Sequence, residues 1–215
     1  VKEGFDNLYR MMSHDWNVIH SGKQHLFTEG GKLEDRPDFP VSFVATEKTY
    51  HDFLKENGKR QPGGARFKSP VAEMVGGYKT RLARYSNPSV GCYEEDSRYF
   101  YDCYYADEAL KALKNRDASK PLFLSAMFVA PHPPLDIPEP WFSAVKNEDF
   151  TLPDNVAKFY SFQSPLQMYN LTGVIGGAYK RDEWKESWRV YLGLVKLLDD
   201  QVGRLLEELK SEGIY

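Results

Sequence analysis

The chain has 215 residues and a formal net charge of -3, with 41% hydrophobic and 27% charged residues. That is globular composition, in a chain long enough to bury a sizeable core. A balance this close to neutral argues against a general nucleic-acid binder, which needs a basic face. The longest apolar run, Leu122 to Pro131, falls well short of the about 20 residues that span a bilayer.

Val1-Lys2-Glu3-Gly4 is neither a basic leader nor a start methionine, so the sequence reads as cut from something longer. Residues 3–13 carry Phe5, Leu8, Tyr9 and Met12 at helical spacing, which predicts an amphipathic helix. A short extended run over 16–20 follows and ends in Ser21-Gly22. Helix, buried strand and glycine turn in that order point to an α/β fold. A second helix is expected over 46–57, capped by Thr46 or Thr49 and stopped by Gly58.

Residues 59–97 show clustered glycines and few periodic apolar positions, and read as a long surface excursion. Residues 98–114 are helical again, with Phe100, Tyr104, Ala106, Leu110 and Leu113 on one face. Residues 122–130 are almost continuously apolar and too short for a typical helix. They predict a strand covered on both faces, as in a parallel sheet. Pro131, Pro133 and Pro134 then stiffen the loop around His132. Residues 136–180 have loop composition and include the glycosylation triplet Asn170-Leu171-Thr172. The last element is a long helix over 181–212, with apolar residues at 184, 188, 191, 195, 198, 202, 205 and 209. Cys92 and Cys103 are too few for a disulfide framework and read as thiols.

Of the five histidines, His14, His20 and His51 sit in helical or strand contexts and read as structural or surface residues. Lys23 and His25 differ, because they follow a buried strand and Gly22. In open α/β sheets ligands bind beyond the carboxyl ends of strands. In extended chain, residues i and i+2 point the same way. Lys23 offers a fixed charge and His25 a proton donor or acceptor. His132 holds the equivalent place after the second strand, in a rigid loop. Lys23, His25 and His132 are therefore expected to converge on one concave site suited to an anionic ester. Asp199-Asp200 reads as a solvated helix face. No strand-end carboxylate cluster stands out as a metal site. The sequence lacks a Gly-x-Ser-x-Gly elbow, a Walker-type loop, a Gly-x-Gly-x-x-Gly turn and a His-Glu-x-x-His helix.

Three segments carry a family resemblance. Gly22-Lys23-Gln24-His25-Leu26 resembles the Gly-Lys-x-His-Leu element of the sulfatases, members of the alkaline phosphatase-like superfamily. Lys120-Pro121-Leu122-Phe123-Leu124 through Ala130-Pro131-His132-Pro133-Pro134-Leu135 is similar to their Lys-Pro-Phe-Phe-Leu…Ala-Pro-His-x-Pro strand and loop. Tyr191 to Leu206 is similar to the long helix before the family's Asp-His-Gly strand. The three arrive in the family's order. The resemblance implies a mostly parallel sheet with helices on both faces, here incomplete. It makes residues 1–215 the central part of one catalytic domain, with irregular insertions near 59–97 and 136–180.

The resemblance also implies a chemistry. In sulfatases a formylglycine, made from a Cys or Ser in a Cys/Ser-x-Pro-x-Arg motif, attacks sulfur as its hydrate. The alcohol leaves, and sulfate is then eliminated. A calcium ion held by Asp and Asn/Gln groups binds the sulfate oxygens. By the motif match, Lys23 contacts the sulfate, His25 assists elimination, and His132 is proton donor or sulfate ligand at the leaving oxygen. The departures are specific. Gln24 stands where an aromatic residue is usual. No Cys/Ser-x-Pro-x-Arg occurs, and Cys92 is followed by Tyr93-Glu94-Glu95. The nucleophile and calcium ligands are thus expected outside this chain, which by itself is expected to be inactive. The implied substrates are sulfated small molecules or sulfated carbohydrates, and the implied location is periplasmic, secreted or lysosomal. Two alternatives stay open: a phosphodiesterase or phosphonate hydrolase of the same superfamily, and a non-catalytic anion- or carbohydrate-binding protein.

Overall fold

A computed structural model describes residues 6–36, 41–156, 158, 160–162, 164 and 175–215. The start of the expected first helix and the triplet Asn170-Leu171-Thr172 lie outside the described residues. The chain divides into two compact units. One comprises 1–61, 95–129 and 198–215; the other comprises 62–94 and 130–197.

The first unit is built on a parallel sheet. Helix α1 (Leu8–Met12) starts at Asn7, whose side chain accepts a hydrogen bond from the Arg10 amide at 3.1 Å. Strand β1 (Asn17–Gly22) follows. Two short strands, β2 (Phe27–Thr28) and β3 (Gly31–Lys32), form a small antiparallel ladder. Strand β4 (Ser42–Ala45) leads into helix α2 (Glu47–Glu56). Thr46 caps that helix, and Thr49 returns a side-chain bond to the Thr46 amide, so both candidate caps act in one capping box. Helix α3 spans Tyr101–Lys114 and strand β8 spans Leu122–Met127. In the sheet, β1 lies between β4 and β8 and is parallel to both.

Helices cover both faces of this sheet. On one face Tyr9 of α1 packs against His20, Phe43 and Phe123. On the other, Ala109 and Leu113 of α3 pack with Leu205 against Leu122, Leu124 and Ala126. Strand β1 is buried along nearly its whole length, as its apolar run predicts. Strand β8 is not. It flanks β1 at the end of the strand order, its residues are mostly half-buried, and Met127 is exposed. Its continuous apolar run therefore overstated its burial.

In the second unit, residues 62–94, most of the stretch 59–97, are more regular than their composition suggests. They hold an antiparallel hairpin of β5 (Lys68–Val75) and β6 (Tyr78–Ser86), then β7 (Val90–Tyr93). The hairpin turns at Gly76-Gly77, both at positive φ, which only glycine adopts freely. Strand β9 (Leu135–Pro138), which runs into the stretch 136–180 expected to be loop, pairs in parallel with β7.

The long helix, α4, spans Arg181–Ser211. Glu183 accepts a hydrogen bond from the Lys180 amide at 2.9 Å near its start, and Gly213 at φ 67° ends it. Its buried stripe is Ser187, Val190, Leu194, Leu197, Gln201 and Leu205. This corrects the expected stripe: Tyr191, Val195 and Val202 are exposed. Ser187 and Gln201 broke the apolar pattern of the true core face and so concealed it. Gly193, which reads as an interruption, is a packing point. A Cβ there would stand 2.5 Å from the Trp141 carbonyl oxygen.

Candidate active site

The carboxyl end of β1 is shaped by one glycine. Gly22 has φ 118°, and a Cβ there would lie 2.0 Å from the Met127 carbonyl oxygen. That close approach lets the Lys23 amide donate to Met127 O at 2.9 Å and carries the chain out of the sheet. Beyond it, burial alternates: Lys23 is half-buried, Gln24 buried and His25 exposed. Such alternation is the pattern of extended chain with one side turned inward. Gln24 Oε1 accepts from the Leu26 amide, while its Nε2 is buried without a hydrogen-bond partner among the described residues.

Lys23 stands in a chain of charges. Its Nζ lies 4.0 Å from Glu47 in the first turn of α2. The other Glu47 oxygen lies 3.6 Å from Lys32, which is also 3.6 Å from Glu34. Burial pushes the Glu34 carboxyl above its ordinary range, and the Lys32 charge works against that. His20, on β1 just before this turn, is buried. Its Nδ1 is 2.8 Å from the Tyr9 hydroxyl and its Nε2 is 3.3 Å from the Gly22 carbonyl. Burial lowers its pKa, and the Gly22 carbonyl offsets part of that effect. His20 therefore supports the strand end as a neutral structural residue.

His132 belongs to the second unit. It is exposed, and its Nδ1 donates to the Pro133 carbonyl at 2.5 Å. That bond orients the ring and leaves Nε2 for a ligand. His132 lines a cleft of about 610 Å³ together with Tyr85, Trp184, Trp188 and Tyr191. The sequence reading missed this cleft, because Tyr85 fell in an apparent loop and the three helical aromatics were assigned to a core stripe. Bulky rings in a stripe offset from a second, smaller stripe were the available signal.

Lys23 and His25 thus share the first unit, and His132 lies in the second. Among the described residues, no group of three or more His, Cys, Asp or Glu is placed to hold a metal ion. The chain as described therefore does not fit a resident calcium site. No described helix is long and apolar enough to cross a membrane.

The sulfatase family model matches residues 18–215. The chain belongs to the sulfatase family. This sulfatase chain is 31% identical over 107 residues to an arylsulfatase of Clostridium perfringens, a match covering 50% of the chain and 22% of that protein. It is 26% identical over 178 residues to a sulfatase of Formosa agariphila, covering 76% of the chain and 35% of that protein. It therefore spans about a fifth to a third of the length of these relatives. Its fold is similar to that of a phosphonate monoester hydrolase of Agrobacterium radiobacter. The TM-score is 0.62 at 19% identity, over 99% of this chain and 45% of that one. The fold is α/β and alkaline phosphatase-like.

Proposed function

We propose that this chain is part of a sulfuric ester hydrolase and that Lys23, His25 and His132 serve its reaction. Membership of the sulfatase family carries the reading. The local geometry supports it: a glycine-dependent strand end delivers Lys23 and His25, and an oriented imidazole follows β8. Lys23 neutralises charge on the transferring sulfuryl group. His132, through Nε2, gives a proton to the leaving oxygen, and His25 is a second acid-base group. The formylglycine nucleophile and calcium belong, in this reading, to residues outside these 215. The substrates are sulfated small molecules or sulfated carbohydrates, met in a periplasmic, secreted or lysosomal setting.

The test uses the full-length protein with an aryl sulfate and added calcium. Lys23→Ala and His132→Ala should each lower kcat/KM by roughly 10²-fold or more. Wild-type turnover in both variants would overturn the assignment. The 215-residue chain alone should show no turnover above its own Lys23→Ala control. The fold shared with a phosphonate monoester hydrolase supplies the second reading. A kcat/KM for phenyl phosphonate esters above that for sulfate esters would favour it.

A further inference from the structure

The aromatic face of α4 takes no part in the chemistry assigned to Lys23, His25 and His132. Trp184, Trp188 and Tyr191 follow one another at i, i+4 and i+7, so they share one side of the helix. That side is offset from the core side, which runs through Val190 and Leu194, and Ser187 lies on the border of the two. Tyr191 remains 40% exposed. Large rings gathered on an open wall mark a binding surface more often than scattered apolar residues do.

Several polar atoms of this wall are spent within the protein. The Ser187 hydroxyl donates to the Pro88 carbonyl at 2.5 Å and also reaches Glu183 O at 3.0 Å. Asn87 Nδ2 donates to Arg66 O and Ser69 Oγ, and Asn87 Oδ1 accepts from the Ser89 amide. The Tyr85 hydroxyl is bound to Glu73. Trp184 Nε1 donates to Gly176 O at 3.3 Å, and Gly176 packs so closely beneath that ring that a Cβ would stand 2.9 Å from it. What these walls offer is therefore mainly ring faces and edges. Among the described residues a polyhydroxylated sugar would find few hydrogen-bond partners for its many hydroxyls, whereas a flat aromatic ring needs few. The volume, about 610 Å³, is within the usual range for small-molecule sites, roughly 300–1,000 Å³. His132 lies on the same wall, so a ring seated there has the imidazole beside it.

We propose that this cleft receives the aromatic ring of the ester's alcohol half, with Trp188 and Tyr191 as the residues that set that preference. The assignment of the ring to the alcohol half rests on the role given to His132 above; the ring preference itself rests on the cleft.

Binding of 2-naphthol to the full-length protein, followed by calorimetry, tests the cleft without any turnover. Trp188→Ala should weaken binding at least fivefold. Trp188→Phe, which keeps a ring, should restore it to within about twofold. Both variants are first checked for an unchanged urea midpoint, and Tyr191→Ala serves as the second probe if Trp188→Ala fails to fold. In parallel, KM for 2-naphthyl sulfate should rise in Trp188→Ala with kcat little changed. Naphthol binding that is absent, or indifferent to both Trp188 and Tyr191, overturns the proposal even in an active sulfatase. Galactose binding more tightly than naphthol, in a Trp188-dependent way, overturns the ring preference. Trp188-dependent naphthol binding in a protein inert to sulfate esters upholds the cleft and removes the sulfatase reading instead.

Discussion

Asp102 Oδ1 accepts a hydrogen bond from the Val129 amide at 2.7 Å. Asp102 is fully buried in α3, and Val129 lies just past the end of β8, three residues before His132. One carboxylate thus holds the point where the chain leaves the sheet. An acid buried this deeply is retained only where it satisfies a partner that would otherwise be orphaned.

Replacing Asp102 by Ala should therefore destabilise the protein by about 1–3 kcal/mol, the range for leaving a buried hydrogen-bond donor unsatisfied. Urea unfolding of wild type and variant measures this. Loss of less than about 1 kcal/mol would show that the Val129 amide finds another acceptor.

Gly22→Ala should cost about 3 kcal/mol or more. It combines a positive φ with a Cβ 2.0 Å from the Met127 carbonyl oxygen, and a backbone atom cannot swing aside. Gly203→Ala is the control, because a Cβ there meets nothing within 4 Å and glycine is a poor helix former. It should leave stability unchanged or raise it slightly.

The two stripes of α4 make opposite predictions. Leu194→Ala and Leu197→Ala remove fully buried side chains and should each cost about 2–5 kcal/mol. Val195→Lys and Val202→Lys alter residues that are 40% and 38% exposed, and should change stability by less than about 1 kcal/mol. A thermal-shift series on the four variants decides between the stripes.

His20 gives stability a pH dependence of known sign. Burial lowers its folded-state pKa below the ordinary value of 6.5, so between those two values the unfolded chain binds more protons. Its contribution is fully present above about pH 6.5 and is lost as pH falls through the folded-state value. Wild type should lose more stability than His20→Gln between pH 7.5 and 5. Parallel curves for the two proteins would mean that the fold does not lower the pKa of His20.

Burial also pushes the Cys103 thiol up to about 12. The thiolate is the reactive form, so Cys103 should resist a thiol reagent at pH 8 in the native protein and react on unfolding. Peptide mapping after alkylation reads this directly.

Much of the first unit was legible in the sequence, because its signals are local. The apolar run of β1, the Thr46 cap, the Gly58 and Gly213 stops, and the Gly-Lys-x-His element all act over a few residues. The hairpin over 68–86 was legible in principle, since Gly76-Gly77 is a strong turn signal. Its strands carry mostly exposed residues, so the alternation that would identify them is weak.

The tertiary structure decided what depended on distant partners. Which stripe of α4 is core was set by packing against other elements, because Ser187 and Gln201 are buried only by virtue of that packing and the Ser187 hydroxyl finds its acceptor in Pro88. The pairing of β7 with β9 joins segments more than forty residues apart, which no local periodicity encodes. The same holds for the wall that gathers Tyr85, His132 and Trp188 from three separate stretches. Short-range propensity and spacing act through neighbours along the chain, whereas burial is settled by whatever the fold brings alongside.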